Sequence, residues 1–252
     1  MKRLSPDNNF YISLLLILII ALIGSACSSS GTTVSAKPDK AKPTPVQSVP
    51  GQQLLAGPVT YVALGASDAV GVGSNQPGSQ GYVPLVATHL PKGSHVINLG
   101  ISGIHLHEAL TQELPLALNL APDLVTIWLV SNDFIAGVPY NSYMRDLDTL
   151  LKQLRANTHA RLVMANLPDF TRLPAFANLT PTQKSTMVTN IKRWNGQIAT
   201  LAAHYHVALV DLFSQDSQLI SHPEYISADG FHPSPLGYVQ LANAFWQVIQ
   251  GT

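Results

Sequence analysis

Five short apolar runs punctuate the chain after residue 58: VTYVALG (59–65), HVINLG (95–100), LVTIWLV (124–130), RLVMANL (161–167) and VALVDLF (207–213). They are nearly continuous in valine, isoleucine and leucine, as strands buried on both faces are. Amphipathic stretches at 82–90, 105–119, 140–156 and 181–204 separate them, and a last helical pattern covers 235–249. Repeated strand–helix alternation predicts an α/β fold with a five-stranded parallel sheet covered by helices on both faces. Right-handed crossovers then put every strand's carboxyl end on one edge, where ligands bind near the switch in strand order. The polar irregularities of the chain fall at that edge. Ser67 follows the first run, Gly100 ends the second, Asn132 follows the third, and Asp229 and His232 precede the last helix.

The first 56 residues follow a different pattern. Lys2 and Arg3 precede an apolar stretch from Phe10 to Ala26, which ends in GSAC and SSSG. Residues 1–27 therefore read as a signal peptide. The GSAC junction resembles a bacterial lipoprotein signal, with Cys27 as the lipidated residue. Cleavage after Ala26 and an uncleaved anchor are the alternatives, and each of the three exports the domain across a membrane. Lipidation is favoured because the lone cysteine at this junction has no better explanation. Residues 28–56, rich in Ser, Thr, Pro and Lys, read as a linker that spans roughly 30 Å as a flexible coil. The globular domain is then 57–252.

Composition narrows the classes. The chain has 252 residues, 46% hydrophobic and 11% charged, so it can bury a full core. Its net charge of +0 leaves no electrostatic footprint for nucleic acid. One cysteine excludes an internal disulfide and any zinc site built from several thiolates.

The chemistry follows from what a serine lacks. A hydroxyl is a poor nucleophile at neutral pH and needs a base, which in turn needs an orienting group. ADGFHPSPLGY (228–238) supplies both, because Asp229 and His232 on a tight turn let the carboxylate reach one imidazole nitrogen. The other nitrogen is left to take the Ser67 proton, the logic of a catalytic triad. Three donors are candidates for the oxyanion hole: the Ser67 N–H, the Gly100 N–H and the Asn132 amide.

Four blocks in order, GASDAVG (65–71), NLGISG (98–103), VSND (130–133) and DGFH (229–232), resemble those of the SGNH hydrolases, the GDSL-type esterases and lipases. The chain departs from the pattern at Ala66, where an aspartate often precedes the serine, and at Val130, where glycine is usual. The resemblance implies a flavodoxin-like three-layer α/β/α sandwich. It also implies ester hydrolysis through Ser67, His232 and Asp229, with Ser67, Gly100 and Asn132 stabilising the oxyanion, and neither metal nor organic cofactor. The expected substrate is a lipid, acetylated-sugar or small ester. An acyltransferase on the same triad and a non-catalytic cell-surface binding module are the rival functions.

Simpler roles compete for several of these residues. Ser67 is a possible helix N-cap, and Asp68 a first-turn carboxylate favoured by the helix dipole. Asp133 reads as structural. His105, His107 and Glu108 lack the four-residue spacing of a chelating pair, so metal binding is set aside, and His105 is assigned to the pocket lining. Phe170, Leu173, Phe176 and Leu179 contact either an acyl chain or the loop's own apolar neighbours. Trp128, Trp194 and Trp246 read as core.

Overall fold

The computed structural model describes residues 57–215 and 222–251. The signal segment, Cys27 and the linker lie outside them. Five strands form: β1 (Thr60–Gly65), β2 (His95–Asn98), β3 (Leu124–Trp128), β4 (Arg161–Ala165) and β5 (Ala208–Val210). All pair in parallel, in the order β2-β1-β3-β4-β5. The order reverses between β1 and β3, where Gly65 sits level with Trp128. That is the switch point at which an open parallel sheet forms its crevice.

Continuous burial holds for β3 and β4 at every position and for β1 beyond Thr60. It fails for β2, where only Ile97 is partly covered. β2 has a neighbour on one side only and little helix over it, so its apolar residues owe their place to pairing more than to burial.

Nine helices are described: α1 (Ser67–Val70), α2 (Pro77–Gln80), α3 (Tyr82–Ala87), α4 (Leu106–Gln112), α5 (Leu114–Asn119), α6 (Ser131–Ile135), α7 (Tyr140–Asn157), α8 (Pro181–His204) and α9 (Pro235–Gln250). α3 packs on α9 over one face, while α4, α5, α7 and α8 adjoin in succession over the other. This is the three-layer arrangement expected of right-handed crossovers. The long helices begin where the sequence signals them. Thr180 and Gln183 form a reciprocal capping box ahead of Pro181, and Ser234 caps the Gly237 N–H ahead of Pro235.

Two expectations need correction. The single helix over 105–119 is two, α4 and α5, broken around Glu113. Pro115 lacks an N–H to continue the ladder and suits the first turn of a new helix. Trp128 and Trp194 are buried, but Trp246 is only partly so and stacks on His89 at 5.1 Å. No helix among the described residues is long and apolar enough to cross a membrane.

Candidate active site

β1 runs into α1 through Ala66 alone, so Ser67 is the first helical residue and not the cap. The turn is tight. A Cβ on Gly65 would lie 2.7 Å from the Ala69 Cβ, so glycine is required there. Ser67 N–H belongs to the opening-turn donors that find no carbonyl within the helix.

The loop 226–234 delivers the imidazole. Asp229 Oδ1 accepts the Ser227 hydroxyl at 2.8 Å and the N–H groups of Phe231 and His232 at 2.8 and 2.9 Å. Its Oδ2 faces His232 Nδ1 at 2.6 Å, and His232 Nε2 faces Ser67 Oγ at 2.9 Å. A carboxylate can only accept, so Nδ1 carries the proton and Nε2 presents its lone pair to the serine hydroxyl. Ser67, His232 and Asp229 are thus brought into one chain of hydrogen bonds.

Two contacts hold this loop against the turn that carries Ser67. The Tyr238 hydroxyl donates to the Val72 carbonyl, and Gly73 packs so close that a Cβ would meet the Pro233 carbonyl. The loop after β4 supports it from behind. Ala175 N–H donates to the Gly230 carbonyl at 3.0 Å, and the Phe231 ring lies 5.8 Å from Phe170 and 6.3 Å from Phe176. Phe170 and Leu173 are buried, so this loop chiefly packs its own apolar residues, with Leu179 on a shallow groove beside Phe134.

The oxyanion candidates sit differently from one another. One Asn132 Nδ2–H donates to the Ile104 carbonyl at 2.8 Å, which orients the amide and leaves its second N–H. Asp133 is structural as expected, accepting the Leu106 N–H at 3.0 Å. Gly100 abuts the turn that carries Ser67, since a Cβ there would lie 2.7 Å from the Ala69 Cβ and 3.3 Å from the Ala66 carbonyl oxygen. Its N–H, however, is not open. It donates to Asn98 Oδ1 at 3.0 Å, while Asn98 Nδ2 donates to the Ala69 carbonyl at 2.6 Å. Asn98 therefore ties the Gly100 loop to α1, a role the sequence reading missed. An asparagine two residues before a glycine after a strand is the signal that could have found it.

His105 and Glu108 pair at the start of α4, and His107 turns elsewhere. His105 opens α4, with its N–H bound by Glu108 Oε2 at 2.9 Å and its ring 3.6 Å from Asp133. His107 faces Asp146 at 3.2 Å.

Electrostatics separate the carboxyl groups around the site. Burial alone would raise Asp229, but hydrogen bonds from the His232 ring, the Phe231 and His232 amides and Ser227 outweigh it and hold this carboxyl well below the usual range. Asp68 lies in the first turn of α1 but is buried, and burial raises it to about 6 against the pull of nearby His232. Glu113 is 1% exposed, and burial lifts it to about 8 despite two backbone donors. A folded-state pKa above the unfolded value means that the native protein binds the extra proton between pH ~4.3 and the folded value. Stability therefore falls as pH rises through that window. Glu113→Gln should flatten this decline, seen as a smaller drop in Tm between pH 5 and pH 8.5 than in the unaltered protein.

A cavity of about 110 Å³ is walled by residues that neighbour Ser67 and His232 in sequence and not by those two themselves. Asp68, next to Ser67, lines it, as do Phe231 and Pro233, which flank His232; Trp128, Leu173 and Leu241 complete a mainly apolar wall.

Residues 63–240 match the family model described as the GDSL-like Lipase/Acylhydrolase family. The fold is similar to the crystal structure of TesA, with 25% identity over 76% of this chain and 98% of that one and a TM-score of 0.61. A Parabacteroides merdae protein assigned as a GDSL-like lipase aligns at 23% identity over 80% of this chain and 99% of its own, TM-score 0.65. Axe2, an acetylxylan esterase from Geobacillus stearothermophilus, aligns at 18% identity over 78% and 96%, TM-score 0.60. No curated protein matches the sequence.

Proposed function

The chain belongs to the GDSL-like lipase/acylhydrolase family and is a carboxylic ester hydrolase; from that premise we propose that Ser67, His232 and Asp229 carry the reaction through an acyl-enzyme. Ser67 Oγ attacks the acyl carbon as its proton passes to His232 Nε2. Asp229 holds the ring in the useful tautomer and stabilises its cation. The tetrahedral intermediate collapses, and the departing alkoxide takes the proton from His232. Water then attacks the acyl-enzyme, giving its proton to His232, and Ser67 leaves with that proton as the acid is released. The observation that carries this proposal is the unbroken series Ser67 Oγ, His232, Asp229 at 2.9 and 2.6 Å.

The Ser67 N–H and the second Asn132 N–H serve the oxyanion. Gly100 joins them by sharing its N–H between Asn98 and the substrate oxygen. Asn132→Ala should lower kcat by about 10²–10³ with a smaller change in KM. Steady-state kinetics on a short p-nitrophenyl ester would read this, and an unchanged kcat would remove Asn132 from the machinery.

Water as acceptor is supported by exposure, since 18% of the His232 side chain and 44% of the Asp229 side chain reach solvent. The cavity beside Asp68 and Phe231 takes the acyl group. Its apolar wall of Trp128, Leu173 and Leu241 suits a short acyl group, and short acyl esters are the substrates we propose. The acetyl ester named for Axe2 falls in this size class. On a panel of esters, kcat/KM should be highest from acetyl to butyryl and about tenfold lower or more at octanoyl. A maximum at long chains would reject this substrate class. Export with lipid attachment at Cys27 is part of the same proposal, supported by the charge and apolar pattern of residues 1–27.

A further inference from the structure

Beneath the nucleophile turn lies a buried acid that the proposed chemistry does not use. Glu113 sits at the break between α4 and α5, and that break turns its side chain toward the end of β1. Its Oε2 accepts the Gly65 N–H at 3.1 Å. The Ile101 N–H, which donates to the Gly65 carbonyl at 3.0 Å, also faces this carboxyl. Gly65 is two residues before Ser67, and Ile101 is the residue after Gly100. One carboxyl thus spans the two turns on which the nucleophile and an oxyanion donor are mounted.

The topology explains why a side chain is needed there. β2 ends at Asn98 while β1 runs on to Gly65, and the chain beyond Asn98 still donates the Leu99 N–H to the Ala63 carbonyl at 2.9 Å and the Ile101 N–H to the Gly65 carbonyl. The Gly65 N–H finds its acceptor not on that segment but on Glu113. Without Glu113 this buried N–H would have no acceptor, a costly state for a buried donor. Glu113 supplies the acceptor from outside the sheet. It is held as a neutral acid, so it acts by shape and hydrogen bonding and not by charge. Its other oxygen, Oε1, is buried with no partner, as is the Tyr82 hydroxyl, which lies 3.7 Å from where a Gly65 Cβ would stand.

We propose that Glu113 is a positioning residue for hydrolysis, fixing the Ser67 turn and the Gly100 loop in the mutual register that the oxyanion hole requires. The proposal rests on the reading of Ser67 as nucleophile and extends it to a residue outside the triad. It concerns geometry that matters in the transition state, so its signature is a split between kcat and KM. Small misplacements of this kind cost about 10²-fold in rate.

The test compares Glu113→Gln, Glu113→Met and Glu113→Asp in the full chain, with kcat and KM on p-nitrophenyl acetate, after circular dichroism and thermal melts establish folding. Glutamine keeps a neutral acceptor of the same reach and should retain kcat within about threefold. Methionine keeps the volume without the acceptor and should lose at least about tenfold in kcat with KM within about twofold. Aspartate keeps the acid but shortens its reach, and serves if the methionine variant does not fold; it should lose kcat in the same way. Full kcat in a folded methionine or aspartate variant would overturn the proposal, and so would equal loss in glutamine and methionine. Failure of the underlying reading looks different: Ser67→Ala would then be as active as the unaltered protein, whatever the Glu113 series did.

Discussion

Ser67→Ala is expected to lower kcat/KM for a short p-nitrophenyl ester by about four orders of magnitude or more. The size follows from the covalent route. Without Oγ no acyl-enzyme forms, and what remains is binding plus oxyanion stabilisation of a direct attack by water. The fold should survive. Ser67 begins α1 and its hydroxyl bonds only to His232 among the described contacts, so the change removes one partly buried hydrogen bond and introduces a good helix former. A Tm within a few degrees of the unaltered protein, together with lost turnover, is the expected pair of results. Near-normal turnover in the purified variant would end the claim that Ser67 is the nucleophile.

Asp229→Asn should be almost as damaging, for a reason that can be separated from folding. The asparagine oxygen can still accept the three donors now bound to Oδ1, from Ser227, Phe231 and His232. Those three donors also hold the amide in one orientation, because flipping it would set an NH₂ against them. The NH₂ must then occupy the Oδ2 position and point at His232 Nδ1. An imidazole that accepts there must carry its proton on Nε2, so it meets Ser67 as a donor and not as a base. A loss of about 10³–10⁴ in kcat with little change in KM is expected. Combined with Ser67→Ala it should add little, because residues that act as a unit do not lose activity additively. Loss of less than tenfold would mean that Asp229 serves the turn alone.

Legibility from sequence varied with how local the cause was. The strands and the caps at Thr180 and Ser234 depend on neighbours within a few residues, and they formed close to where the pattern placed them. Asp229 and His232 are three apart on a turn, so their pairing was visible too. The break at Glu113 was marked by Pro115 but masked by an amphipathic pattern that ran through it. Glu113 looked like one more polar position on that stretch, since nothing near it in sequence reveals that the end of β1 comes to lie against it. Gly100 was read as an open donor because the Asn98 side chain that binds its N–H takes its orientation from Ala69, on another element.

Alternating apolar runs and amphipathic stretches determined the parallel sheet and its layers, because burial period and capping are properties of short segments. The meeting of Ser67 with His232, and the capture of the Gly65 N–H by Glu113, belong to the tertiary structure. Each depends on where strand order reverses and on how the ends of β1 and β2 pack, and only the packed chain sets the desolvation that makes one carboxyl a neutral prop and the hydrogen bonds that keep another ionised beside the imidazole.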